Sequence, residues 1–121
     1  MQLKILLVDD EGELISTMAE RLEYRDVEAH FALSGAEALE KMQSHAYHAV
    51  VIDLKMPGMS GVELIRAIQH KYPHIPIFLM TGHGFSLDGE ELPDGIIDYL
   101  PKPVKIDELV DKIRQAVKND L

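Results

Sequence analysis

Short apolar runs alternate with amphipathic segments along the whole chain. Five runs rich in β-branched residues predict strands: Lys4–Val8, Val27–Phe31, Ala49–Ile52, Ile75–Met80 and Ile96–Leu100. The central runs Ile5–Val8 and Val50–Ile52 have no polar residue. Such runs are typical of strands that are covered on both faces of a sheet.

The segments between these runs predict helices. In the first segment, apolar residues recur at the spacing of one helix face: Leu14, Ile15, Met18 and Leu22. Ser34–Glu37 and Ser60–Glu63 have the form of a capping box, so each predicts the start of a helix. The last helix carries a continuous apolar stripe, made of Ile106, Leu109, Val110, Ile113, Ala116 and Val117.

The segment between the fourth and fifth strands is a poor helix former. Between Phe85 and Gly95 it contains a proline, a further glycine and several acidic residues. Because glycine and proline disfavour helix, we expect the fourth of about five helices to be short or irregular. Strands that alternate with helices form right-handed βα units and a parallel sheet, so we expect an α/β sandwich of three layers.

Composition narrows the class of protein. A chain of 121 residues fits one domain, and we expect residues 1–121 to form it. The absence of cysteine excludes disulfides, thiolate zinc sites and cysteine nucleophiles. A net charge of −9 argues against direct binding of nucleic acid or anionic membrane by this domain. The apolar runs are too short for a membrane span, and Asp9–Glu11 follow too early for a secretory signal, so we expect a cytoplasmic protein.

Polar side chains follow four of the five predicted strands. Asp9 and Asp10 follow the first, Asp53 the third, Thr81 the fourth and Lys102 the fifth. Ligands of open α/β sheets bind at the carboxyl ends of strands, so these side chains converge if the four strands are neighbours.

The three carboxylates, the lysine and the threonine suit the transfer of a phosphoryl group. Carboxylates that repel one another are stabilised by Mg²⁺ (or Mn²⁺), a cation that takes oxygen ligands. An aspartate can act as a nucleophile and form an acyl phosphate. We therefore expect a phosphoryl group on one aspartate, with Mg²⁺ and Lys102 balancing its charge. The six histidines are scattered along the chain, and we predict no metal site made from them: His30, His45, His48, His70, His74 and His83.

Four segments follow one another along the chain: Ile5–Glu11, Asp53–Gly61, Met80–Gly82 and Asp98–Pro103. In this order and at these spacings, they together resemble the receiver domain of bacterial two-component response regulators. The resemblance covers essentially all 121 residues. It implies a flavodoxin-like sheet of strand order 2-1-3-4-5, an order for which receivers are a known example.

The resemblance also implies roles for residues. Asp53 would be the phosphoacceptor, and Asp9, Asp10, Asp53 and the main-chain carbonyl of Lys55 would hold Mg²⁺. Thr81 and Lys102 would bind the phosphoryl group, and the Lys102–Pro103 bond would be cis. Thr81 and Tyr99 would form a conformational switch, whereas Lys55 and His83 would tune how fast the acyl phosphate hydrolyses.

The partners implied by the resemblance are a sensor histidine kinase or phosphotransfer protein, and an output domain or downstream protein. Catalysis would be limited to phosphorylation and dephosphorylation of Asp53 itself. A homodimer through the last helix is an additional expectation. Since no output module follows within the sequence, the chain would be either a stand-alone receiver or a piece of a longer regulator.

Three other functions fit parts of the pattern. A phosphohydrolase of the haloacid-dehalogenase type would need a second aspartate two residues after Asp53, where Lys55 stands. A flavodoxin-type binder of FMN would need a phosphate-binding loop after the first strand, where Asp9–Glu11 would repel the phosphate. A receiver-like interaction module that is never phosphorylated stays open, and it is the alternative to a phosphoacceptor.

Overall fold

A computed structural model describes residues 2–56, 60–82 and 94–119 of the chain. These ranges contain five strands and four helices, in the order β1 (Leu3–Val8), α1 (Gly12–Glu23), β2 (Val27–Ala32), α2 (Gly35–Ser44), β3 (Ala49–Asp53), α3 (Gly61–Lys71), β4 (Ile77–Thr81), β5 (Ile96–Pro101) and α4 (Ile106–Asn119). All pairs of neighbouring strands are parallel, and the strand order is β2-β1-β3-β4-β5. The flavodoxin-like fold that the sequence predicts is confirmed.

The sheet separates two apolar cores. Alternate residues of β1 point to opposite faces, so that Ile5 and Leu7 pack against α1 and α4, whereas Leu6 and Val8 pack against α2 and α3. Residues 5–8 are completely buried, as are the residues of β3 from Ala49 to Ile52. Burial on both faces is the reason why these strands consist of apolar residues without polar alternation.

Two of the helices begin at the predicted capping residues. The Oγ atom of Ser34 accepts a hydrogen bond from the Glu37 amide at 3.1 Å, and Ser60 accepts one from the Glu63 amide at the same distance. In each case the side chain satisfies an amide that has no partner inside the helix. The apolar stripe of α4 is also confirmed, since Ile106, Leu109, Val110 and Ile113 are buried.

Two expectations about element composition are wrong in detail. Leu14 does not belong to the buried face of α1, since it is 37% exposed whereas Ile15, Met18 and Leu22 are buried. The fourth strand begins at Ile77 rather than Ile75, because the Ile75 amide bonds back to the Tyr72 carbonyl in a turn. Pro76, between them, has no amide hydrogen to donate to the sheet.

The helix expected between Phe85 and Gly95 falls almost entirely outside the described residues. The described ranges contain no helix that is long and apolar enough to cross a membrane.

Candidate functional site

The carboxylates of Asp9 and Asp53 lie side by side at the carboxyl edge of the sheet. Val8 of β1 is paired with Ile52 of β3, so the residues that follow them are brought next to each other. Asp9 is fully buried and Asp53 is 6% exposed, whereas Asp10 is exposed. One carboxylate oxygen from each of the three aspartates lies within 4.8 Å of the others. Within the described residues, this is the one group of three or more histidine, cysteine or acidic side chains that are arranged to hold a metal ion.

Both buried carboxylates accept hydrogen bonds from the backbone two residues further along. The Glu11 amide donates to Oδ1 of Asp9 at 2.9 Å, and the Lys55 amide donates to Oδ1 of Asp53 at 3.2 Å. These turns fix the orientation of each carboxylate, so that its second oxygen is directed to the same partner.

That partner is the ammonium group of Lys102. Its Nζ atom donates to Oδ2 of Asp9 at 3.0 Å and to Oδ2 of Asp53 at 3.1 Å. It also lies 3.9 Å from the exposed carboxylate of Glu11. The main chain of Lys102 is held by β4, since its amide donates to the Thr81 carbonyl at 2.8 Å. The Lys102–Pro103 bond is cis, as expected.

The pKa values at this site reflect burial and charge together. Burial raises the pKa of the Asp53 carboxyl above its ordinary value, and the neighbouring Asp9 charge adds to this, against the opposing hydrogen bonds from Lys102 and Lys55. Burial of Lys102 favours the neutral amine, but its hydrogen bonds to Asp9 and Asp53 and their charges outweigh that effect and raise its pKa. Lys102 is therefore charged at neutral pH, and one cation faces more negative charge than it can balance.

The other residues expected at the site take different positions. Thr81 is half-buried at the end of β4, one residue beyond the partner of Asp53 in the β3–β4 pairing. Tyr99 lies on β5 with 45% of its surface exposed, and Lys55 is exposed. His83 lies outside the described residues, so its expected role in tuning hydrolysis stays a prediction.

The backbone donors at Glu11 and Lys55 are not among the site residues predicted from the sequence. The signal that could have indicated them is an aspartate at the end of a strand, whose side chain commonly bonds the amide two residues on. The sequence also gave no sign that His30 and His45 are in contact, with ring centroids 4.8 Å apart.

Comparisons with known proteins indicate one family for this chain. A sequence profile described as "Response regulator receiver domain" matches residues 5–114. The C4-dicarboxylate transport transcriptional regulatory protein DctD of Rhizobium meliloti is 34% identical over 93% of this chain, and the DNA-binding transcriptional regulator NtrC of Escherichia coli K12 is 32% identical over 95%. This chain spans only 25% of the length of either relative.

A solved structure leads to the same family. The response regulator receiver domain protein from Clostridium thermocellum superposes with a TM-score of 0.86 and 33% identity, covering 97% of this chain and 95% of that one. The profile match, the relatives and the shared fold lead to one conclusion: the chain belongs to the family of response regulator receiver domains.

Proposed function

We propose that this chain, taken as one receiver unit over residues 1–121, is the phosphoacceptor of a two-component signalling system. The observation that carries the proposal is the position of Lys102 Nζ, which lies within 3.1 Å of two buried carboxylates at the carboxyl edge of the sheet. A buried ion pair that serves only the fold needs one carboxylate for its lysine, not three. Such a pair can often be replaced by apolar side chains without a loss of stability. The cluster is therefore better explained by chemistry than by folding.

The charge of the cluster fits a bound divalent cation. Three carboxylates and one ammonium leave two negative charges unbalanced, if the aspartates are ionised. Oxygen-only ligands from aspartates suit Mg²⁺ or Mn²⁺. Asp9, Asp10 and Asp53 would hold the ion, together with the main-chain carbonyl of Lys55. When bound, the ion neutralises charge on the phosphoryl oxygens and so favours nucleophilic attack.

In the proposed reaction the Asp53 carboxylate attacks the phosphorus of a kinase phosphohistidine. An O–P bond to Asp53 forms while the P–N bond to the histidine breaks, and the leaving imidazole keeps the electron pair and takes up a proton. Lys102 then exchanges part of its contact with Asp53 for an ion pair with a phosphoryl oxygen. The Thr81 hydroxyl donates a hydrogen bond to another phosphoryl oxygen.

The proposed output is a change of surface around Tyr99. A phosphoryl group adds nearly two negative charges, which draw the Thr81 hydroxyl towards Asp53. The space that Thr81 leaves can then be filled by the Tyr99 ring, which gives two alternative states. Lys55, two residues after Asp53, and His83, two residues after Thr81 in the sequence, would control how readily water reaches the acyl phosphate. The surface would act on an output domain or a downstream protein, as the names of the transcriptional regulators among the relatives suggest.

Intact-mass spectrometry tests the proposal without knowledge of the kinase. The protein is incubated with a small acyl-phosphate donor, with and without Mg²⁺, and sampled over time. We expect the mass of one added phosphoryl group, only when Mg²⁺ is present, followed by its loss as the acyl phosphate hydrolyses.

Asp53→Asn is the matched control, because the amide keeps the shape of the side chain and cannot form an acyl phosphate. Its spectrum should show no adduct. Absence of an adduct on the folded wild-type protein at every time point would contradict the proposal and favour an interaction module that is never phosphorylated.

A further inference from the structure

A second polar cluster lies at the amino end of the sheet, at the opposite end of the strands from Asp9 and Asp53. It combines side chains from β1, β2, the end of α2 and the connection to β3. We call it the amino-edge cluster, and its members are Lys4, Glu28, His30, His45, Tyr47 and His48.

Lys4 donates hydrogen bonds to two histidines. Its backbone amide donates to Nδ1 of His48 at 2.9 Å, and its ammonium group donates to Nδ1 of His45 at 3.0 Å. The His48 amide in turn donates to the Lys4 carbonyl at 2.7 Å, so the two residues extend the β1–β3 pairing by one step. An amide and an ammonium have no lone pair to offer, so both Nδ1 atoms accept. Both rings are therefore neutral in this arrangement, with the proton on Nε2.

The third histidine of the cluster is not restricted in this way. His30 Nε2 lies 3.0 Å from Oε2 of Glu28, and its Nδ1 lies 2.8 Å from the Tyr47 hydroxyl. The hydroxyl can donate or accept, and the carboxylate can accept a hydrogen bond from Nε2. Protonation of His30 is compatible with its contacts, whereas protonation of Nδ1 in His45 or His48 is not.

We propose that the amino-edge cluster is an acid-sensitive latch. The Nδ1 atoms of His45 and His48 hold the start of β1 to the end of α2 and its connection to β3, and protonation of Nδ1 in His45 releases the Lys4 ammonium from this contact. The strand that the latch holds is the one that leads to Asp9.

The charges around His45 oppose its protonation. Its ring faces Lys4 of β1 and His30 of β2, with Lys41 on its own helix, and Glu28 is the one acidic group of the cluster. Desolvation and the Lys4 charge lower the pKa of His45 below its ordinary value of 6.5, against the opposing effect of Glu28. The His48 ring faces the Lys4 amide.

The sign of the pH dependence follows from this lowered pKa. The unfolded chain takes up a proton on His45 at a higher pH than the folded chain does. The stabilisation from the latch is therefore complete above about pH 6.5 and is lost as the pH falls through the lower folded-state pKa.

The same contacts disfavour a metal ion in the cluster. The Lys4 ammonium already lies between Oε2 of Glu28, at 3.5 Å, and Nδ1 of His45, at 3.0 Å. A second cation in this space would have to displace it.

Nuclear magnetic resonance of the wild-type protein tests the latch directly. Imidazole nitrogen signals and the exchange protection of the Lys4 amide are followed from about pH 8 to about pH 5. We expect His45 and His48 to carry their proton on Nε2 at the upper end, and His45 to titrate below its ordinary value of 6.5. The protection factor of the Lys4 amide should fall as His45 titrates. A His45 midpoint at or above 6.5, a proton on Nδ1, or unchanged Lys4 protection across this range would overturn the proposal.

Variants separate the latch from general acid sensitivity. Lys4→Met keeps the backbone donor and removes the ammonium, so it should move the His45 midpoint upwards. A double variant, His45→Gln with His48→Gln, keeps hydrogen-bond acceptors that do not titrate. Its free energy of unfolding should fall less between about pH 7 and about pH 5 than that of the wild type. His70→Gln, on the exposed side of α3, is the matched control and should keep the wild-type fall. An equal fall in the double variant would also overturn the proposal.

Discussion

A single ammonium group serves two buried carboxylates at the carboxyl edge of the sheet. Lys102 bonds Asp9 and Asp53 at similar distances, while the backbone amides of Glu11 and Lys55 occupy the other oxygen of each carboxylate. The exposed Asp10 brings a further carboxylate within 4.8 Å. Its charge has no partner among the described ion pairs, so in the absence of metal it repels the other two.

Removal of that charge should stabilise the metal-free protein. Asp10→Asn keeps the size of the side chain, and we expect it to raise the free energy of unfolding by about 1 kcal/mol, from relief of repulsion at this distance in a largely aqueous setting. Mg²⁺ should raise the free energy of unfolding of the wild type as its concentration exceeds the dissociation constant. It should raise that of the variant much less. Urea unfolding with and without Mg²⁺ measures both effects.

Glu40→Gln, which removes an exposed acidic charge on α2, is the control for a general effect of net charge. Asp10 does not have this repulsive role if Asp10→Asn leaves the stability of the metal-free protein unchanged or lowers it, or if Mg²⁺ stabilises the variant as strongly as the wild type.

The start of α3 is packed closely against the chain that follows Asp53. Gly61 is buried, and an added Cβ there would lie 2.7 Å from the Leu54 Cα and 2.8 Å from the Leu54 carbonyl oxygen. Backbone atoms cannot move aside as a side chain can. Because Gly61 has no side chain, the backbone of Leu54 can lie this close to it. The contact positions Leu54 and the adjoining Lys55, whose carbonyl we propose as a metal ligand.

Gly61→Ala should therefore affect both folding and metal binding. We expect it to lower the free energy of unfolding by roughly 1–3 kcal/mol, as for other overpacked sites, and to weaken Mg²⁺ binding. Gly12→Ala is the matched control, because its Cβ would meet only the Leu33 side chain at 3.8 Å, an ordinary contact. Calorimetry of unfolding and titration with Mg²⁺ test this, and equal behaviour of the two variants would contradict it.

The elements that could be predicted from sequence are those set by local rules. The capping residues Ser34 and Ser60 and the apolar strands carry their signal within a few neighbouring positions. The β-branched side chain of Ile75 favours a strand, but the turn before Pro76 depends on hydrogen bonding that periodicity does not show. Leu14 matched the helical spacing, although the spacing alone does not define the edge of the buried face.

The site around Asp53 could be predicted from the sequence, whereas the amino-edge cluster could not. Asp9, Asp53 and Lys102 each follow a strand, and the topology of a parallel sheet brings such positions together. Lys4, His30 and His45 come from different elements, and their contact depends on how α2 ends beside β2. No sequence rule gives that packing, so the histidines looked scattered.

At the scale of the whole molecule, β4 and β5 connect the site with an exposed face. Lys102 is bonded through its amide to Thr81, and Leu79 is paired with Tyr99 on the neighbouring strand. Tyr99 is 45% exposed. The proposed switch would transfer the change at Asp53 to this face through Thr81.

The ring of Tyr99 should report phosphorylation. We expect its ring resonances to shift and its exposure to fall when the acyl phosphate forms, whereas Tyr24, at the end of α1 and 80% exposed, should not respond. Thr81→Ala should still be phosphorylated but should leave the Tyr99 resonances unchanged. Tyrosine-labelled nuclear magnetic resonance spectra recorded during phosphorylation measure this. A phosphorylated wild-type protein with an unaltered Tyr99 ring would rule out the switch.

Locating the phosphoryl group on the chain tests the assignment of Asp53 as the phosphoacceptor most directly. After phosphorylation in the presence of Mg²⁺, borohydride reduces an aspartyl phosphate to homoserine, which peptide sequencing by tandem mass spectrometry identifies by position. We predict homoserine at Asp53 and at no other aspartate, and none when Mg²⁺ is omitted. Homoserine at Asp9 or Asp10, or an adduct that leaves Asp53 intact, would contradict the assignment of Asp53 as the phosphoacceptor.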